Sequence, residues 1–220
     1  KYKSAFWNFI QTGKWIASAD GDKCRQPSYS ELAYQVNASL VFGAQGIECF
    51  LISPVGETGG PYSGEILKGN AKFVFDLEGN TTELYAPLKE VLDNVKSIDD
   101  VLMKSVWKGV METESLELKM NAVQTLSEGY AIHDFNQVSS IESDETYALA
   151  GCFNYGGYTA LYVMNANTDK TLSENASVTV NFNRKVKGYS IFGSDKTEFT
   201  GNSLVLSNLA PGEAALIVIE

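Results

Sequence analysis

The stretch that decides the fold runs Ser4-Ala5-Phe6-Trp7-Asn8-Phe9-Ile10-Gln11, then Pro27-Ser28-Tyr29-Ser30-Glu31, then Gly46-Ile47-Glu48-Cys49-Phe50-Leu51-Ile52-Ser53. In the first run Ser4, Phe6, Asn8 and Ile10 alternate with Ala5, Trp7 and Phe9, a mostly apolar segment of strand length ending at Gln11-Thr12-Gly13. After a polar loop, Ser28 stands where it can cap a helix, and Glu31, three residues on, can reach back to the cap amide. Leu32, Ala33, Val36, Leu40 and Val41 then recur at three-and-four spacing, and Gly43 stands where a left-handed residue ends a helix. The third run is nearly continuous in apolar residues, as parallel strands are when both faces are covered. Strand, crossover helix and strand make a βαβ unit over residues 3–54. Two parallel strands under one helix leave a sheet face and both edges open, so further strands are expected to complete the unit.

Downstream, Leu84, Leu88, Val91, Leu92 and Val95 share one helical face. The spacing predicts a helix over residues 82–111, started by Asn80 with Glu83, interrupted near 97–100 and resumed by Val101, Leu102, Val106 and Trp107. Beyond residue 117 the period changes to two. Residues 147–154 and 158–164 flank Tyr155-Gly156-Gly157, a hairpin signal, and further short strands are expected at 177–182, 186–191, 204–206 and 214–219. Such a series suggests an antiparallel β-sandwich. Val178, Val180 and Phe182 alternate with Thr179 and Asn181, so one face is packed and the other wet.

Hydrophobic residues at 44% and charged residues at 20% are those of a folded globular chain and exclude intrinsic disorder. A formal net charge of −10 argues against nucleic-acid backbones and anionic membranes as partners. A neutral sugar polymer meets no such repulsion. No run is long and apolar enough for membrane insertion. Cys24, Cys49 and Cys152 are too scattered for a zinc motif; Cys49 and Cys152 read as small buried hydrophobes and Cys24 as a loop thiol. No metal or cofactor is expected.

The phrases Phe6-Trp7-Asn8-Phe9-Ile10-Gln11, Pro27-Ser28-Tyr29-Ser30-Glu31-Leu32-Ala33-Tyr34-Gln35-Val36 and Leu40-Val41-Phe42-Gly43-Ala44-Gln45-Gly46-Ile47-Glu48-Cys49-Phe50 resemble the seventh strand, seventh helix and eighth strand of bacterial (β/α)8-barrel glycoside hydrolases related to barrel β-galactosidases. The run Phe73-Val74-Phe75-Asp76-Leu77-Glu78-Gly79-Asn80-Thr81-Thr82-Glu83-Leu84-Tyr85 resembles the segment leading into the last barrel helix. Ala150-Gly151-Cys152-Phe153, Tyr162-Val163-Met164-Asn165-Ala166-Asn167 and Leu209-Ala210-Pro211-Gly212-Glu213-Ala214 resemble the β-domain that follows such barrels. The fold expected is therefore α/β plus all-β: the last two βα units of a TIM barrel over residues 1–115, then an antiparallel β-sandwich over 116–220. The resemblance implies the C-terminal part of a secreted bacterial hydrolase acting on oligo- or polysaccharide, located extracellularly, in the periplasm or at the cell surface. Its partners would be carbohydrate and the remainder of the barrel, on an upstream segment or a companion chain.

Glycoside hydrolysis ordinarily needs two carboxyl groups. In the family resembled, the acid/base comes from the fourth barrel strand, which this chain lacks, and the nucleophile from the end of the seventh, where this chain has Gln11. An amide can bind a sugar hydroxyl but cannot form a glycosyl intermediate, so the chain alone is expected to be inactive. The alternative is a non-catalytic carbohydrate-binding or interaction protein built on a degenerate barrel. Gln11, Trp15 and Glu48 are the candidate substrate-binding residues; no catalytic residue is assigned. Glu48, in the last strand, is either a sugar-facing carboxyl or a paired structural one. Trp15, in the loop after the first strand, is either a stacking platform or core, whereas Trp7, mid-strand, reads as core.

Asp20-Gly21-Asp22 reads as a turn and not as a calcium loop. The glycine-rich stretch 53–70, with Glu57 and Glu65, reads as a pocket rim without a phosphate fingerprint. His133 is read as a surface residue. Asn37, Asn80 and Asn175 fit the glycosylation pattern, but Asn37 falls mid-helix, against its use as an acceptor.

Overall fold

The helix start at Ser28 forms as its residues dictate. In the computed structural model, which describes residues 5–16, 23–53, 71–113 and 129–220, the Ser28 side chain accepts from the Glu31 amide and the Glu31 side chain accepts from the Ser28 amide. Helix α1 (Tyr29–Val41) follows, and Gly43 takes the left-handed conformation (φ 83°) beyond its end. Before it lie β1 (Trp7–Gln11) and the short antiparallel pair β2 (Trp15–Ile16) and β3 (Lys23–Cys24); after it lies β4 (Gly46–Phe50). Strands β1 and β4 pair in parallel, with Trp7 opposite Gly46, Phe9 opposite Glu48 and Gln11 opposite Phe50.

Next come α2 (Tyr85–Leu102), β5 (Ser105–Glu112), β6 (Val138–Glu142), β7 (Ala148–Tyr155), β8 (Tyr158–Asn165), β9 (Ala176–Phe192), β10 (Asp195–Leu209) and β11 (Ala214–Ile219). Strands β5 to β11 form one seven-stranded antiparallel sheet in the order β10-β9-β11-β8-β7-β5, with β6 on the first part of β9. The long β9 bends the sheet back on itself. Its first part pairs with β6 and the end of β10, while Gly188 to Ile191 pair with β11.

Two cores follow from alternation on this sheet. Leu161, Val163, Cys152, Ile217 and Ile219 point into the fold of the sheet with Val178, Val180 and Leu209. Their neighbours Ala160, Tyr162, Met164, Phe153, Leu216 and Val218 point outward, against Leu32, Val36, Leu88 and Val91 of the helices. Burial on both faces explains why β8 and β11 are continuous apolar runs although they are antiparallel.

The expected α/β class, with two βα units of a TIM barrel, is therefore overturned. Strand makes up 48% and helix 18% of the structure, and among the described residues only β1-α1-β4 has parallel βαβ order. The reason lies in where the helices bury their apolar faces: α2 packs on the antiparallel sheet, and α1 lies between that sheet and the two-stranded parallel pair, so among the described residues no wider wall of parallel strands is present for them to cover. The predicted helix over 82–111 also stops at Leu102, because the following residues alternate in burial as a strand, and Trp107 donates from Nε1 to the Val41 carbonyl at 2.9 Å. Strand β5, ahead of the expected division at 115/116, belongs to the antiparallel sheet through β7. No side chain caps α2: Asn80 bonds to Asp76, and Thr82 Oγ1 accepts from the Leu84 amide. The hairpin at Gly156-Gly157 forms as predicted, both glycines having positive φ, whereas the strands expected at 177–182 and 186–191 are a single one, and one continuous sheet replaces the two of a sandwich.

Candidate functional site

The parallel pair β1–β4 has one covered and one open face, and side-chain alternation sorts its residues between them. On the covered side Asn8 donates to Ser39 Oγ of α1 at 2.7 Å, Ile10 is buried, and Ile47 and Cys49 pack on the same core. The other side therefore carries Trp7, Phe9 and Gln11 from β1, beside Gly46, Glu48 and Phe50 from β4. Trp7 is 59% exposed, Phe9 65% and Phe50 42%, high values for aromatic residues in a sheet.

Local packing fixes these rings. The indole of Trp7 lies over Gly46: a Cβ at Gly46 would stand 2.7 Å from Cδ2 and 2.8 Å from Cε2 of that ring. Phe9 meets Phe50 edge to face, centroids 6.5 Å apart, and Phe50 meets Trp15 at 5.6 Å in the same manner. Trp15 itself is only 9% exposed, clustered with Ala71 and Phe73. Trp7, expected in the core, is thus exposed, and Trp15, expected either as a platform or as core, is buried. Trp15 is the buried backing of Phe50, and Trp7 is the open platform.

Glu48 stands opposite Phe9, partly exposed, with no ion pair or side-chain hydrogen bond among the described residues. Gln11 is engaged internally. Its Nε2 donates to the carbonyls of Gly13 (2.9 Å) and Arg25 (2.6 Å), while Gln35 clamps its backbone by accepting from the Gln11 amide and donating to its carbonyl. Gln11 stands at the end of the small sheet that leads to Trp15, whereas Glu48 stands at its middle, and among the described residues the Glu48 carboxyl has no side-chain hydrogen bond or ion pair. Gln11 holds the loop after β1; Trp15 holds Phe50.

Beside Gln11, Arg25 forms an ion pair with Glu31 at the start of α1. That guanidinium, helped by the Ser28 backbone amide, holds the Glu31 carboxyl well below the usual carboxylate range, at about 2. The pair belongs to the helix start and leaves no free carboxyl there. Burial pushes the Cys152 thiol up to about 12, and Cys49 is raised for the same reason, so burial disfavours the thiolate form in both. His133 is exposed. Asn37 is buried, donating to the Gly212 carbonyl at 2.8 Å and accepting from the Tyr162 hydroxyl at 2.7 Å, which closes it to glycosylation. No group of three or more metal-ligating side chains occurs among the described residues. The turn at Asp20-Asp22 and the glycine-rich stretch with Glu57 and Glu65 lie outside the described residues.

Sequence reasoning missed Trp7, Phe9 and Phe50 as a surface. The available signal was Gly46: a glycine inside a strand marks a close approach, here by the indole opposite it. Compared with models of protein families and with curated proteins, the chain matches none.

Proposed function

We propose that the chain is a sugar-binding, non-hydrolysing part of a glycoside hydrolase that acts on oligo- or polysaccharide, and that the open face of β1 and β4 holds a neutral pyranose. The observation that carries this reading is the exposed indole of Trp7 over Gly46, continued by Phe9 and Phe50 around Glu48. A pyranose offers axial C–H groups to an aromatic face and hydroxyls at its rim; Trp7 supplies the face, and the Glu48 carboxyl accepts from the hydroxyls. An acidic group on the platform and a net charge of −10 favour neutral over anionic sugars here. Hydrolysis needs a second carboxyl about 5 to 10 Å away, and none stands beside Glu48 on this face among the described residues. A polysaccharide ligand goes with an extracellular, periplasmic or cell-surface location.

Calorimetric titration with neutral oligosaccharides tests the reading. Binding is expected to weaken about tenfold in Trp7→Ala and similarly in Phe50→Ala, roughly the worth of one aromatic stacking contact, with no reducing sugar released. If no neutral saccharide binds, or if Trp7→Ala leaves binding unchanged, the reading fails.

The unpaired edges favour a second reading. No other described strand pairs with either edge of β1–β4, so a protein segment can add there as a further strand. That reading predicts concentration-dependent self-association or capture of an extended peptide, and no saccharide binding.

A further inference from the structure

The far end of the large sheet carries a second, chemically different cleft. The turn Asn136-Gln137 is closed by reciprocal backbone hydrogen bonds between Phe135 and Val138, and Asn136 takes the left-handed conformation (φ 55°) that asparagine tolerates. The Asn183 amide donates to the Gln137 carbonyl, and its side chain donates to the Asn136 carbonyl at 3.0 Å, so the turn is pinned to β9. Beside it lie Asn154 and Tyr158 at the tip of the β7–β8 hairpin and Arg184 on β9. Together they enclose an open cleft of about 620 Å³.

Buried Thr159 orients the carboxamides. Its hydroxyl accepts from Asn136 Nδ2 at 2.9 Å and donates to Gln137 Oε1 at 2.7 Å. Gln137 therefore turns its amide N–H groups to the cleft and Asn136 its carbonyl oxygen. Asn154 Oδ1 accepts weakly from Asn136 at 3.4 Å, leaving the Asn154 N–H groups unengaged. Arg184 has no hydrogen bond or ion pair among the described residues, and the cleft lining contains no Asp or Glu. In a chain of net charge −10, an acid-free cleft with an unpaired guanidinium, several amide donors and the exposed ring of Tyr158 is a specific environment.

We propose that this cleft binds an anionic sugar unit, its carboxylate or sulfate held by Arg184 with the amides of Gln137 and Asn154 on the flanking hydroxyls and the ring of Tyr158 against the pyranose. A planar guanidinium recognises either oxyanion in a bidentate manner. Fixed carboxamides, with donors and acceptors already assigned, bind hydroxyls without the entropic cost of ordering them. The site lies apart from the β1–β4 face and does not depend on it.

The test is calorimetric titration of the whole chain, at low and at physiological ionic strength, with three probes: a galacturonate trisaccharide, a sulfated galactan trisaccharide and neutral galactotriose. At least one anionic probe is expected to bind, with weaker affinity at higher salt. Its affinity is expected to fall tenfold or more in Arg184→Gln and in Asn154→Asp, which puts a negative charge in the cleft at almost constant shape. Binding of the uronate alone assigns the site to carboxylates, of the sulfated probe alone to sulfates. Trp7→Ala leaves anionic binding unchanged, and Arg184→Gln leaves any galactotriose binding unchanged, so the two sites fail or succeed separately. Absence of binding by both anionic probes, or equal binding in Arg184→Gln with the fold intact by circular dichroism, overturns the proposal.

Discussion

At Gly46 a hydrogen atom in place of a side chain decides where the indole of Trp7 lies. A methyl group there would stand within 3 Å of three ring atoms, and because the ring is solvent-exposed it can lift away without disturbing the core. Gly46→Ala is therefore expected to keep the circular dichroism and the melting temperature close to those of the parent. Sugar affinity should fall severalfold, as measured by titration; unchanged affinity would mean the indole is not the platform. A second residue-scale prediction concerns Glu31. Its folded-state pKa, about 2, lies below the ordinary 4.5, so its contribution to stability is complete above the unfolded-state value and is lost as the pH falls from about 4.5 towards 2. With its partner Arg25 largely exposed, the contribution is on the order of 2 kcal/mol after allowance for screening. Urea denaturation at pH 6 and pH 3 checks it: Glu31→Gln should be less stable than the parent at pH 6, and the gap should narrow at pH 3.

Helix α1 is the element on which both parts of the molecule depend, since it packs on β1 on one side and on β7 and β8 on the other. Its contact with β7 is made backbone to backbone. A Cβ at Gly151 would stand 2.5 Å from the Val41 carbonyl oxygen. Gly151→Ala must push the helix off the sheet and is expected to cost about 2–3 kcal/mol, read as a lower denaturation midpoint with little change in slope. Its contact with β8 is polar and buried. Asn37→Ala leaves the Tyr162 hydroxyl and the Gly212 carbonyl without their partner, a loss of about 2–4 kcal/mol, whereas Tyr162→Phe deprives only Asn37 and should cost about 1–2 kcal/mol. Equal losses in the two variants would contradict this assignment of the network.

Across the whole molecule, what was legible in the sequence was local. Ser28 with Glu31, Gly43, and Gly156-Gly157 act through hydrogen bonds and dihedral angles a few residues long, and each forms as read. What was not legible was which surface each element faces. The apolar stripe of α2 is real, but nothing in Leu88 or Val91 says that the core they join is built on an antiparallel sheet. The two strands expected around residue 184 are one because β9 runs on through a bulge there: its pairing with β10 shifts register between Val186 opposite Gly201 and Asn181 opposite Ser203 and then resumes, a long-range property. The candidate site shows the same limit. Trp7 and Trp15 both stand in or beside strands, and the choice between core and surface came from Ala71 and Phe73, which cover one and not the other.

The central claim, that the open face of β1 and β4 binds sugar through Trp7, is tested most directly by the indole N–H signals in a two-dimensional nitrogen–proton NMR spectrum during titration with a neutral oligosaccharide. The chain has 3 tryptophans, so each signal can be assigned by single Trp→Phe variants. The account predicts a progressive, saturable shift of the Trp7 signal, a smaller one for Trp15 relayed through Phe50, and none for Trp107, whose indole N–H is bonded to the Val41 carbonyl. A Trp7 signal that stays in place while sugar binds, or that stays in place because none binds, would contradict it.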